Sequence, residues 1–186
     1  MSANGRAVKK PIIRDQPRKD GPDSLQYDND FWRFSLAVYG QAEVAEECLS
    51  LQQAHAIDVN LLLFCAWLGT QAVTLSAKDI EGASIAVSSW HERVIRPLRG
   101  VRQWIKTLNR EEFGSFRERV KKIELDAEQI EQSILFAHST RFQGLADADR
   151  SEAIARNVEQ YLKTKSPART SEPIAARLID AARRTL

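Results

Sequence analysis

The chain has 186 residues, a formal net charge of +2, 8 glycines, 6 prolines and two cysteines. So few backbone breakers argue against an all-β fold, and the length suits one core, so an all-α, single-domain helical bundle is expected. The longest apolar run, Leu61 to Leu68, is far short of the ~18–20 residues that span a bilayer, which excludes a transmembrane helix on sequence grounds. MSANGRAVKKPIIRD has no apolar core of a secretory signal, and Cys48 and Cys65 are too few for a disulfide framework. A reducing cytoplasm and no membrane partner are the expectation.

The modest net charge conceals alternating blocks. Residues 1–24 sum to +3, 25–90 to −6, 91–122 to +6, 123–160 to −5 and 161–186 to +4. Such blocks suit helices that pair with oppositely charged neighbours.

Three organisational units are expected: a disordered basic arm over 1–26, a bundle core over 27–140, and two short, loosely docked C-terminal helices over 141–186. Pro11, Pro17 and Pro22 interrupt the first segment, which offers little to bury. Asp28 or Asn29 caps a short helix through FWRFSLAVY, and Gly40 ends it in a left-handed turn. Ala42 to His55 follows, with Val44, Cys48, Leu51 and His55 on one stripe and Gln52 among them. Asp58 then caps Val59 to about Leu75, a helix apolar nearly all round that belongs at the bundle's centre.

A long helix enters near Ser76–Asp79, and Ala83, Ala86, Val87, Trp90, Val94, Pro97, Leu98, Val101, Trp104, Ile105 and Leu108 share its apolar face. Pro97 should kink it around Arg93–Arg96 or begin a new helix. Phe113 to His138 carries Phe116, Val120, Ile123, Ala127, Ile130, Ile134 and Ala137 as a heptad seam fit for a hairpin or a coiled-coil dimer. Asp149 with Glu152 caps residues 150–163, and Ser171 caps the last helix.

Two candidate sites emerge. On the central helix Asn60, Phe64, Trp67 and Gln71 lie within about 60° of one another, amides flanking rings. With Trp32, Tyr39 and Gln52 they define a candidate pocket of Trp32, Tyr39, Gln52, Asn60, Trp67 and Gln71. The second is a basic patch near the hairpin tip: Arg96, Arg99, Arg102, Lys106, Arg110 and Arg117. Nucleic-acid binding there is disfavoured, because the three-residue spacing of the arginines winds around a regular helix and Trp90 and Trp104 project to the apolar face.

The segments FWRFSLAVYG, CLSLQQ and DVNLLLFCAWLG, with the later Trp90, Val94 and Pro97-Leu98-Arg99, resemble a family of small proteobacterial proteins described as a domain of unknown function. The resemblance runs from about Phe31 to His138. It implies a cytoplasmic helical protein of bacterial origin and brings no catalytic residues. Where the family pattern puts a glycine ahead of DVN, this chain has Ala56-Ile57.

Enzymatic constellations do not surface. His91 lacks a second histidine four residues on, and His55, His91 and His138 stand apart from zinc-type spacings. No nucleophile elbow, phosphate loop or dinucleotide fingerprint is present. No catalytic residue, metal or cofactor is expected. The favoured role is a binding or adaptor module acting through protein partners or self-association. A small-ligand sensor or an unfamiliar enzyme using the amide–aromatic pocket is the alternative, and nucleic-acid binding the lesser one.

Overall fold

The computed structural model describes residues 25–146, 148–165 and 175–186. These form an all-α bundle with no strand among them. Most of the expected basic arm and the proposed Ser171 cap lie outside the described residues.

Helix α1 spans Asp30–Tyr39, with the Asn29 side chain accepting from the Trp32 N–H at 2.8 Å. Gly40 ends it with φ −65°, in right-handed space, so the expected left-handed turn does not form there. Helix α2, Ala42–His55, ends instead on a left-handed alanine, Ala56, with φ 51°. Helix α3, Val59–Thr70, is the axis of the bundle, with every residue from Asn60 to Thr70 buried. It stops about five residues before the expected end near Leu75. Ala72 adopts φ 62°, its N–H bonds Gly69 O at 2.9 Å, and the Val73 N–H reaches Leu68 O at 3.1 Å. That pair of bonds closes a Schellman cap without the usual glycine, and Val73 and Leu75 enter the core from the loop.

Helix α4, Ala77–Trp90, begins with a full capping box between Ser76 and Asp79. It passes through a π-helical turn, His91–Ile95, into α5, Arg96–Thr107, in which the Arg96 N–H bonds His91 O. Pro97, which has no N–H to continue the ladder, is thus met by a wider turn. The inserted residue rotates everything beyond it by about 100°. The inward positions become Ile95, Arg99, Arg102 and Ile105, of which only Ile105 belongs to the apolar face expected for an uninterrupted helix. Val101, Trp104 and Leu108 turn outward as a result, and Trp104 is 63% exposed. Trp90, ahead of the turn, stays on the bundle and donates its indole N–H to Ala127 O at 2.9 Å.

Helix α6, Gly114–His138, packs antiparallel to α4 and α5. Its buried line is Val120, Glu124, Ala127, Glu131 and Leu135, whereas Phe116 and Ile123 of the expected seam are exposed. Two carboxylates therefore face inward where the heptad reading placed methyl groups.

The last two helices are not loosely docked. Helix α7, Arg150–Lys165, lies along α3 and buries Ile154, Val158 and Tyr161 completely. A Cβ on Gly69 would meet the Ile154 backbone at 2.5 Å, so glycine is what allows the two helices to approach this closely. Asn157 of α7, fully buried, donates to Cys65 O at 3.1 Å and Val73 O at 2.8 Å and accepts from the Leu75 N–H at 2.8 Å. Helix α8, Ala176–Arg183, contacts α2 and α7, and Leu178, Ala181 and Ala182 are fully buried.

Candidate functional site

A cavity of about 680 Å³ opens between α1, α2, the start of α3, α5 and α6. Trp32, Leu36, Tyr39, Leu49, Leu63 and Leu125 give it apolar walls, and Ser35, Gln52, Asp58, Asn60 and Gln132 its uncharged and acidic ends. Four of the six expected pocket residues are therefore on its wall: Trp32, Tyr39, Gln52 and Asn60. Trp67 and Gln71 are not. The Trp67 ring packs at 5.3 Å from Phe31 and 5.8 Å from Phe136, inside the core. Gln71 sits at the exposed end of α3, donating to the Thr70 hydroxyl at 3.0 Å. The helical stripe that joined them to Asn60 is real as geometry, but α1 and α6 enclose its middle.

Two members of the expected basic patch also line this cavity. Arg99 bonds Glu124 at 3.0 Å and Glu128 at 2.7 Å, and Arg102 bonds Glu124 through both Nε and Nη2. The remainder do not form one cationic face. Arg96 pairs with Glu92, Arg110 with Glu112 and Arg117 with Glu118, while Lys106 is exposed on α5. The +6 and −5 blocks thus meet at the Arg99–Arg102–Glu124–Glu128 cluster. Burial works to raise the Glu124 carboxyl, but hydrogen bonds from Arg102 and Arg99 outweigh it and hold it below the ordinary value.

Beside the cavity, three side chains from three elements converge. His91 Nδ1, at the start of the π turn, lies 3.2 Å from Asp58 Oδ2 and 3.0 Å from Glu131 Oε1. One ligand atom from each of the three falls within 4.8 Å of the others. Each carboxylate has its second oxygen occupied by the protein. Asp58 Oδ1 accepts from the Asn60 and Leu61 N–H groups as the cap of α3, at 2.9 and 3.4 Å. Glu131 Oε2 accepts from Asn60 Nδ2 at 2.5 Å, and Asn60 Oδ1 accepts from Gln132 Nε2 at 2.8 Å. Tyr161 anchors the Asp58 backbone from α7. Burial, followed by the negative charge of Glu131, pushes the Asp58 carboxyl up to about 6. At His91 burial acts to lower the pKa, but the Glu131 hydrogen bond and both carboxylates outweigh it, raising the imidazole above its ordinary value.

The triad is not among the site residues expected from the sequence, where Asp58 reads as a cap, His91 as a solitary histidine, and Glu131 carries no signal of its own. The available signal was the carboxylate row Glu124, Glu128 and Glu131 at spacings of four and three, which places all three near one face of α6. Nothing local ties residues 58, 91 and 131 together. The cysteines behave as expected: both are buried free thiols, and burial pushes Cys48 up to about 12 and raises Cys65 as well.

A helical bundle built on a buried apolar axis, with an open amphipathic cavity beside an acidic–imidazole cluster, is the class of protein these features define. The chain belongs to the family described as protein of unknown function (DUF2390), whose model matches residues 30–135. No curated protein and no solved structure shows significant similarity to it. Among the described residues no helix is long and apolar enough to cross a membrane.

Proposed function

We propose that this domain binds a small amphipathic organic molecule in the cavity beside α3. The supporting observation is that two buried polar atoms on the cavity wall, Ser35 Oγ and Gln132 Oε1, have no hydrogen-bond partner within the described residues. Leaving such groups unpaired costs about 1–3 kcal/mol each, a cost that a ligand or ordered water removes. A volume of about 680 Å³ falls within the range that small-molecule sites occupy. The ligand's ring or chain lies against Trp32, Tyr39 and Leu63, and its polar end meets Ser35, Asn60 and Gln132. The protein acts as a cytoplasmic bacterial sensor or carrier on this reading, with no catalytic residue assigned.

A thermal-shift screen of small metabolites against the full chain tests this. Hits should raise the Tm of the wild type, and Trp32→Ala and Gln132→Leu should abolish the shift while remaining folded. A shift that both variants retain would remove the cavity from consideration.

A second reading, a protein-binding or self-associating module, rests on a different surface. Val101 and Trp104 of α5, Leu108 at its C-cap, and Phe116 and Ile123 of α6 are exposed apolar side chains on the hairpin. Light scattering on the wild type and on Trp104→Ser checks it: concentration-dependent association lost in the variant supports it, and a monomer in both counts against self-association.

A further inference from the structure

We infer that Asp58, His91 and Glu131 form a binding site for one divalent transition-metal ion of the Mn²⁺, Fe²⁺ or Zn²⁺ class. This site stands independently of whether the adjoining cavity accepts an organic ligand.

The imidazole nitrogen stands at ligand–ligand spacing from one oxygen of each carboxylate, and the three donor atoms lie within 4.8 Å of one another. Metal–ligand bonds of about 2.0–2.2 Å place neighbouring ligands about 2.8–3.1 Å apart in octahedral geometry and about 3.3–3.6 Å apart in tetrahedral geometry. His91 Nδ1 sits 3.0 Å from Glu131 Oε1 and 3.2 Å from Asp58 Oδ2. Both carboxylates are held monodentate, since Asp58 Oδ1 is fixed by the α3 N-terminus and Glu131 Oε2 by Asn60. Outer hydrogen bonds of this kind orient ligands in metal sites before the ion arrives. Asp58 Oδ2 and Glu131 Oε1 are left facing the imidazole.

Charge and access point the same way. Two carboxylates and a neutral imidazole bring −2 into a region where Glu131 is fully buried and Asp58 is 8% exposed. A divalent ion cancels that charge, whereas a single proton on His91 leaves a net −1. Of the three, Asp58 lies on the cavity wall with Asn60 and Gln132, so the site adjoins the cavity there, the side from which an ion and a water ligand would enter. The unpartnered Gln132 Oε1 lies on that same wall, one residue from the ligand Glu131. The imidazole donor selects a borderline transition metal over Mg²⁺ or Ca²⁺, which favour all-oxygen sets. A π turn supplies the histidine, a local irregularity that recurs at functional positions in helices.

The test uses the full chain stripped with chelator, titrated calorimetrically with MnCl₂, ZnCl₂, MgCl₂ and CaCl₂ in separate runs. Binding at one ion per chain is expected for Mn²⁺ or Zn²⁺, tighter than for Mg²⁺ or Ca²⁺. His91→Gln and Glu131→Gln should each weaken it by at least about 10–100-fold, and His55→Gln should leave it unchanged. Circular dichroism establishes that each variant is folded. Since His91 is the least buried of the three, His91→Gln decides the matter where Glu131→Gln does not fold. A Co²⁺-loaded sample should show no thiolate charge-transfer band. The inference fails if the folded wild type binds neither Mn²⁺ nor Zn²⁺, if Mg²⁺ or Ca²⁺ binds more tightly, or if His91→Gln binds undiminished. A cobalt–thiolate band would likewise overturn it.

Discussion

Tyr161 and Asp58 exchange two hydrogen bonds across 103 residues of chain: the phenol donates to the Asp58 carbonyl at 3.2 Å and accepts from the Asp58 N–H at 3.0 Å. The residue that caps α3 and contributes to the acidic–imidazole cluster is thus positioned by α7. Tyr161→Phe removes the hydroxyl, fills the same volume and leaves a buried N–H unpaired. Urea denaturation should show a loss of about 1–3 kcal/mol, with native helix content retained.

The contact between α3 and α7 predicts a sharper effect at Gly69. Any Cβ there collides with the Ile154 main chain, which cannot rotate away as a side chain could. Gly69→Ala, normally favourable inside a helix, should instead destabilise by about 3 kcal/mol or more through forced separation of the helices. Equilibrium unfolding measures this. Stability equal to the wild type would show that the two helices do not approach so closely.

Ala56 invites the opposite substitution. It holds φ 51° at the end of α2. A left-handed alanine costs roughly 1–2 kcal/mol in strain, partly offset by the greater entropy glycine loses on folding. Ala56→Gly should therefore raise stability by about 0.5–1 kcal/mol, detectable as an increased Tm.

Glu124 sets an acid-side dependence. Because its folded pKa lies below the unfolded value near 4.5, its contribution is present above that value and is lost as pH falls through the folded pKa. Glu124→Gln should cost about 2–3 kcal/mol at pH 7, since Arg99 and Arg102 lose a largely buried partner. The gap between wild type and variant should narrow as unfolding is measured below about pH 4.5. A constant gap down to pH 3 would contradict the pairing.

The architecture was legible where local chemistry decided it. The caps at Asn29, Asp58 and Ser76, and the all-apolar α3, follow from residue type and spacing alone. What escaped was phase. One extra residue in the π turn moves Arg99 and Arg102 inward and Trp104 outward; Pro97 announces a break around residues 93–96, but not that it takes the form of an inserted residue. The same limit explains α6, where Glu124 and Glu131 face the core because arginines and a histidine await them there. Asn60 and Tyr39 were found because apolar neighbours made them conspicuous. Asp58, His91 and Glu131 were not, because their convergence exists only in three dimensions. The end of α3 was misplaced because alanine, not glycine, takes the left-handed position at residue 72.

The burial of α3 by α7 has a consequence for how the chain is made. Cys65 and Asn157, joined by a hydrogen bond in the finished fold, are 92 residues apart. At translation rates of about 5–20 residues per second, the most apolar helix waits about 5–20 s for its covering partner. The family-matched segment, 30–135, is already complete before that partner emerges. Until then the face of α3 that α7 covers stands open, so depleting ribosome-associated chaperones should lower the yield of folded protein in a cell.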